Sequence, residues 1–408
     1  MSRLSVAILT ALVFGWAIGT AIAGTGVAGP VAAVAAPIGQ SWLDALTMTV
    51  VPLVFALLVT GVIAAVAHAS GGVVALRALL WFAAMLLTTS LLCAAVTSGA
   101  LLISPVPQAA SALRPGSHEA LVPQAQNWLA AIAPMNPVRA AAETAMVPLV
   151  FFALIFGFAA SRIEPDLRAS LARVFDAIAK TMLQIVQWVL VVAPIGVFSL
   201  ALGVGIRTGA GGAGVLAHYV GIVVVAALAT LLLAYGVVAV AGRMTPVAFA
   251  RAALPSQAIA LSTQSSLASL PAMVGASAAL GIDRGAAGVV LPLAVSLFRA
   301  TSAGANVAVA VYLAHVHGVS LDIGSLIAGA AIAAVVSIAA VGLPAQVSFF
   351  AIIAPVCIVM GVPVVLLPLL LAIETLPDLF RTVGNVTFDL AIARIVGRER
   401  GDPNGEPA

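Results

Sequence analysis

The amino-acid sequence predicts an all-α polytopic membrane protein, with eight transmembrane helices and two re-entrant helical hairpins. Three observations predict it. The 408 residues are 63% hydrophobic and only 8% charged, with a mean hydropathy of +1.21, whereas soluble domains are about 45–50% apolar. Stretches able to cross a hydrocarbon core, which takes about 20 apolar residues, recur near 4–25, 40–66, 78–104, 126–160, 180–205, 216–242, 288–314 and 362–392. Two further apolar stretches, 246–281 and 320–360, are interrupted by polar residues and helix breakers.

The first span, "SVAILTALVFGWAIGTAIAG", also has the form of a secretory signal, but with seven spans behind it a retained helix is the expectation. Alternating the spans from a cytoplasmic N-terminus assigns Arg77, Arg162, Arg168, Arg173, Lys180, Arg243, Arg251, Arg284 and Arg394 to the inside. Arg114 and Arg207 alone fall outside. This asymmetry is what the positive-inside rule requires. It puts both termini in the cytoplasm and the chain, as a multi-pass protein, in the inner (plasma) membrane.

The assignment holds only if 246–281 and 320–360 enter and leave on one face. Irregular backbone at membrane depth survives only where protein or a water-filled cavity surrounds it. The first stretch reads "ALSTQSSLASLP", with Ser262, Thr263, Gln264, Ser265, Ser266 and Ser269 before Pro271; the second reads "SIAAVGLPAQ", with Gly342 and Pro344. Broken segments in corresponding places, one from each side, point to an inverted-repeat carrier with its site at mid-membrane. A channel would instead favour a continuous polar stripe or a ring of identical residues.

The last span carries the costliest residues. Glu374, Asp378, Arg381, Asn385 and Asp389 follow one another at spacings of 4, 3, 4 and 4, which keeps them on one helical face, with Thr382 beside them. Each charge facing lipid would cost roughly 2.5–3.5 kcal/mol, so the face must meet partners or a ligand. Arg381 offers a planar two-pronged grip for a carboxylate, and Asp378, one turn away, can accept an ammonium. An internal ion-pair ladder is the bland alternative, but three acids to one base leave charge over.

Other chemistry has no sequence support. Cys93 and Cys357 lie in apolar runs, so neither a disulfide nor a metal site is expected. The net charge of +3 does not suggest nucleic acid. No nucleophile with a placed base, no phosphate-cradling loop and no cofactor motif occurs, so the chain does not read as an enzyme. Arg139 and Glu143 form an i,i+4 pair expected to brace a bent fourth helix. The basic run 162–180 is amphipathic and is expected along the cytoplasmic interface. His315 and His317, near the outer end of the seventh helix, are of the residue type that can act as a proton carrier.

"DLFRTVGNVTFD" (378–389) resembles the last helix of the dicarboxylate/amino acid:cation symporter family, the glutamate transporter family, with its pattern D-x-x-R-T-x-x-N-V-x-G-D. Only the Gly is replaced, by Phe388. "MTVVPLVFALLVTGV" (48–62) resembles the family's second helix, "APIGVFSL" (193–200) its fifth, "SSLASLP" (265–271) its first hairpin and "GLP" (342–344) the tip of its second. The resemblance implies a homotrimeric elevator. Residues 1–73 and 109–214 would form the scaffold; 74–108 and 215–400 would form the transport domain, with 401–408 a disordered tail. It further implies that Arg381 binds a substrate carboxylate, Asp378 an amino group, and Thr382 and Asn385 the backbone end of an amino acid. Ser265, Ser266 and Gly342 would contribute from the hairpin tips, and Asp389 would be a sodium ligand. The implied substrate is an acidic amino acid or a C4-dicarboxylate.

One departure stands against these matches. Where the family has N-M-D-G-T in its seventh helix, "PLAVSLFRATSAG" supplies Phe298, Arg299, Ala300, Thr301 and Ser302. Sodium needs oxygen ligands, by analogy with other hard cations, and Phe298 and Ala300 have none in their side chains. Ala339 and Ala345 also stand where glycines are usual in the second hairpin. The expectation is therefore an atypical member without the usual sodium coupling. Arg299 would take the place of a cation and pair with Asp389, or would itself bind substrate, while Glu374 could carry a coupling proton. A sodium-coupled symporter, an anion channel or uncoupled uniporter, and a non-transporting sensor on the same fold remain the alternatives.

Overall fold

The computed structural model describes residues 3–69, 72–113, 134–339 and 345–398, and in them the chain is almost entirely helical. Five helical segments are long and apolar enough to cross a membrane on their own: Ala28–Ala67, Val73–Ile103, Pro165–Val191, Gly211–Val240 and Arg284–His317. The remaining apolar helices are shorter because local chemistry divides them.

The first is α1 (Arg3–Ile22), followed by α2 (Ala28–Thr47) and α3 (Val50–Ala69). Helix in the second segment begins at residue 28, well before the predicted 40. The stretch 28–39 carries Pro30 and Pro37 and reads as a loop, yet Pro37 is accommodated inside α2. A bend between α2 and α3 coincides with Thr49, whose hydroxyl returns to Leu46 O at 2.8 Å, a local bond that bends helices. Next comes α4 (Val73–Ile103), then a short 3₁₀ turn, Gln108–Leu113.

The fourth segment is split into α5 (Pro137–Ala142) and α6 (Met146–Ala160). The Asn136 side chain caps α5, accepting from Val138 N and Arg139 N. Thr144 adopts positive φ at the break, and the Arg139–Glu143 pair bridges the last turn of α5 at 2.7 Å. The basic run is the first half of one continuous helix, α7 (Pro165–Val191), which is capped at Val192 just before Pro194 and is followed by α8 (Ala193–Thr208). Close approach of α1 to α8 depends on Gly15, Gly19 and Gly205, where an added Cβ would strike the opposing backbone.

After α9 (Gly211–Val240), the stretch 246–281 forms α10 (Pro246–Thr263) and α11 (Ser266–Ala276), packed against one another. Gln264 turns the chain in the left-handed region, and Ser265 Oγ caps α11 by accepting from Ala268 N at 3.2 Å. The seventh segment is α12 (Arg284–Leu297) and α13 (Ala300–His317). The stretch 320–360 forms α14 (Ile323–Ala339) and α15 (Ala345–Val359), also in mutual contact. Before α14, Asp322 accepts from Ser325 N at 2.7 Å, and these bonds hold its carboxyl below the usual range. Finally come α16 (Leu367–Leu371) and α17 (Thr375–Gly397).

At the centre lies α13, in which every residue except His315 is buried. It packs against α4, α9, α14 and α17. Gly304 lets α4 approach, since a Cβ there would meet Cys93 Sγ and Thr89 O, and Gly384 lets α17 approach, since a Cβ would run into the Thr301 side chain. Gly384→Val should therefore lower thermal stability in detergent, by ~1–3 kcal/mol as overpacking does. Gly221→Ala, with nothing within 4 Å of the added carbon, should leave the melting curve unchanged.

Candidate functional site

Asp378, Arg381, Thr382, Asn385 and Asp389 lie on α17, and Glu374 begins it as its N-cap residue; all six are buried, with 0–5% exposure. One helix can bury so many polar groups because α9, α10, α12 and α13 surround it. Its far end is pinned by Arg394, which donates from Nε to Gly242 O at 3.2 Å and from Nη1 to Gly281 O at 2.8 Å.

Arg381 Nη1 donates to Asn306 Oδ1 at 3.1 Å and lies 3.0 Å from Glu374 Oε1. That second contact is an ion pair off the direction of a good hydrogen bond. The other face of the guanidinium is unused. Arg381 Nε and Nη2, Asn306 Nδ2, Glu374 Oε1 and Asp378 Oδ2 are buried without a hydrogen-bond partner. Arg381, Asn306, Glu374 and Asp378 line one narrow cavity together with Arg299, Ser302, Phe349 and Ile352. Buried polar atoms are nearly always satisfied, so unpaired donors and acceptors around a single space mark a place for a polar ligand. Donors of a guanidinium suit a carboxylate, and a free carboxylate oxygen suits a cationic or hydroxyl group.

Between α12 and α13 the helix is interrupted. Phe298 (φ −117°, ψ 104°) and Arg299 (φ −124°, ψ 62°) are extended. The break is held from outside its own segment. Asn385 Oδ1 accepts from Thr301 N at 3.0 Å and Ser302 N at 3.2 Å, and its Nδ2 donates to Ser302 Oγ at 2.9 Å. Asn385 thus caps α13 from a neighbouring helix, as a local N-cap residue would. Thr89 Oγ of α4 reaches Ala300 O at 2.8 Å. Phe298 stacks on Phe82 at 4.5 Å between centroids and meets Phe388 edge-on at 6.0 Å. Phe298 and Phe388 are therefore in contact.

Of the residues singled out in the sequence, Glu374, Asp378, Arg381 and Arg299 converge on the cavity. Thr382 is buried nearby but is not part of its lining, and most of the hydrogen-bonding capacity of Asn385 is committed to the helix cap. Ser265 and Ser266 sit half-buried at the first hairpin tip, outside the lining, although Gln264 Nε2 joins that tip to Thr375 O at 3.2 Å, next to Glu374. Gly342 lies outside the described residues. Neither carboxylate oxygen of Asp389 has a hydrogen-bond partner. Arg299 lines the cavity, and its charge acts on both Asp378 and Asp389. Asn306 was missed: a lone Asn in an apolar helix signals little until the fold sets it against Arg381. Tyr219, which donates to Glu374 Oε2 at 3.4 Å, was missed for the same reason.

Apolar helices enclosing a cavity lined by buried charges, with donors and acceptors left over, define a membrane transporter. The chain belongs to the sodium:dicarboxylate symporter family, whose model matches residues 4–399. It is 27% identical to the proton/glutamate-aspartate symporter of Escherichia coli over 378 residues, 88% of this chain and 84% of that protein. Identity is 26% to the proton/sodium-glutamate symport protein of Bacillus subtilis, over 90% of this chain and 86% of that one. It is also 26% to the C4-dicarboxylate transport protein of Rhizobium johnstonii, over 88% and 82%. The family consists of transporters, not enzymes.

Loss of the cap in Asn385→Ala should free the N-terminus of α13, with a cost of ~0.5–2 kcal/mol. Hydrogen exchange at Thr301 and Ser302 should rise selectively, which a general loosening of the fold would not produce.

Proposed function

We propose that this protein is a secondary transporter of acidic amino acids or C4-dicarboxylates that is driven by protons rather than sodium. The observation that carries the reading is the cavity itself, with the unpaired Nε and Nη2 of Arg381 opposite the unpaired Oδ2 of Asp378. The related symporters named for glutamate, aspartate and C4-dicarboxylates support it. The free edge of Arg381 receives a substrate carboxylate, and Asp378 receives the ammonium when one is present. Arg299, in the same cavity, attracts a second acidic group.

The proposed architecture has eight crossings: α1, α2–α3, α4, α5–α6, α7–α8, α9, α12–α13 and α16–α17. The pairs α10–α11 and α14–α15 are re-entrant, and both termini are cytoplasmic. Following the family resemblance, we assign a trimer in which the scaffold (1–73 and 109–214) holds a transport domain (74–108 and 215–400) that slides as a body. The contacts of α13 with α4, α9, α14 and α17 support treating those helices as one unit. Thr382, Asn385, Ser265, Ser266 and Gly342 remain proposed contributors near the substrate.

Proton coupling is supported by what surrounds the altered motif. Phe298 and Ala300 bring no side-chain oxygen, and the contact of Phe298 with Phe82 and Phe388 fills their surroundings with apolar surface. The field of Arg299 acts on Asp389. Glu374 is the carboxyl placed against Arg381 and open to a proton. A substrate carrying net negative charge enters this enclosed space more readily when Glu374 is protonated, because uncompensated charge in a dry site is costly.

Uptake of labelled aspartate, glutamate, succinate and fumarate into proteoliposomes, with sodium, proton and potassium gradients imposed singly, tests the proposal. Proton-driven, sodium-indifferent uptake is expected, and strict sodium dependence would reject it. Arg381→Lys keeps the charge but loses the fork, and should weaken every acidic substrate at least about tenfold, as loss of a charge-assisted bond of ~1.5–3 kcal/mol implies. Asp378→Ser should lose aspartate and spare succinate. Equal loss of both would make Asp378 a structural partner of Arg381.

A further inference from the structure

A line of titratable side chains that the transport reading does not use runs from the Ser104 end of α4 to Glu374. His218 on α9 is half-buried, and its Nε2 lies 3.1 Å from both the hydroxyl and the carbonyl oxygen of Ser104. Its Nδ1 lies 3.2 Å from the Tyr312 hydroxyl of α13, which itself donates to Val215 O at 3.0 Å. The Tyr312 ring meets Tyr219 edge-to-face, with centroids 5.4 Å apart. Tyr219, fully buried, donates to Glu374 Oε2. These groups occupy one turn of α9, where His218 and Tyr219 are adjacent, and the one position of α13 that faces both.

We propose that His218, Tyr312 and Tyr219 form the route by which a proton reaches Glu374, an inference that rests on the proton-coupled reading above. The balance is simple. Protonated His218 passes the Nδ1 proton to the Tyr312 oxygen as Tyr312 passes its own hydroxyl proton onward. Tyr219 receives that proton and releases its own to Glu374 Oε2, and His218 is reprotonated from water at the Ser104 end. One proton is gained by Glu374 and one is lost from solvent, with no redox step. No hydrogen bond spans the Tyr312-to-Tyr219 hop; it takes one water between the two hydroxyls, with the Tyr312 O–H turned from Val215 O.

The charges that face this route come from several elements. Glu374 meets Arg381 and Asp378 on α17 and shares the cavity with Arg299. Cys93 of α4 lies within the field of Arg381, as does Tyr219. His317, at the end of α13, feels Arg207 of α8. None of these links solvent to Glu374. On the proposed orientation the Ser104 end is the outer face, and α4, α9, α13 and α17 all belong to the moving body, so the route travels with the site.

The test uses the full-length protein in proteoliposomes, with labelled aspartate and succinate, and compares Tyr219→Phe, Tyr312→Phe and His218→Asn with Glu374→Gln. Melting curves in detergent establish that each variant is folded. Net uptake driven by a proton gradient should fall at least about tenfold in the three route variants, as loss of a positioned proton donor does. Exchange of internal for external substrate, which does not require net proton movement, should persist. Full proton-driven uptake in both tyrosine variants would overturn the route while leaving proton coupling standing. Equal loss of uptake and exchange would also overturn it, because a packing role affects both. If Glu374→Gln retains dependence on the proton gradient, the coupling assignment fails at Glu374 and the route fails with it.

Discussion

Burial of charge on α17 is the constraint on which the rest depends. Glu374, Asp378, Arg381 and Asp389 sit at 0–5% exposure in a chain built to live in lipid, where an isolated ion is prohibitively costly. The surrounding helices must therefore bring partners, and Arg381 is met by Asn306 and Glu374. The partnering is incomplete on one side of the guanidinium only. In a water-soluble core such a vacancy would weaken the fold, whereas in the function proposed above it shapes a space for a charged solute.

Helix interruptions are the second theme, and they share a chemistry. At four of the helix starts among the described residues the freed backbone groups are capped by side chains in this way: Asn136 before α5, Ser265 at the first hairpin tip, Asp283 before α12 and Asn385 in front of α13. The last differs because the capping residue comes from another helix. That cross-helix cap couples the N-terminus of α13 to the polar face of α17. It also sets Ser302 and Asn306, one turn apart on α13, toward the cavity they line with Arg381.

The break between α12 and α13 carries two unlike side chains on its extended backbone, an aromatic ring and a guanidinium. Phe298 packs against Phe82 and Phe388, and Arg299 lines the cavity. Phe298 and Phe388 form a single apolar packing unit. A ring at one position needs an apolar neighbour at the other, since a lone ring against polar surroundings would lose most of its burial energy.

Much of this was legible in the sequence. Hydropathy alone determined a polytopic all-helical chain, the serine-rich and Gly-Pro interruptions marked the two helix pairs, and the spacing of Glu374, Asp378, Arg381, Asn385 and Asp389 put them on one face, because helical periodicity is local. The early start of α2 and the continuity of α7 were not legible, since proline and charge read locally as breaks while packing carries the helix through. Nor could sequence show that Asn306 and Tyr219 meet the charged face, that Asn385 serves a different helix, or that Arg299 lines the same cavity as Asp378. Each of these pairs residues far apart in the chain. Only the packing of α9, α13 and α17 against one another decides which buried group finds a partner and which is left open to a ligand.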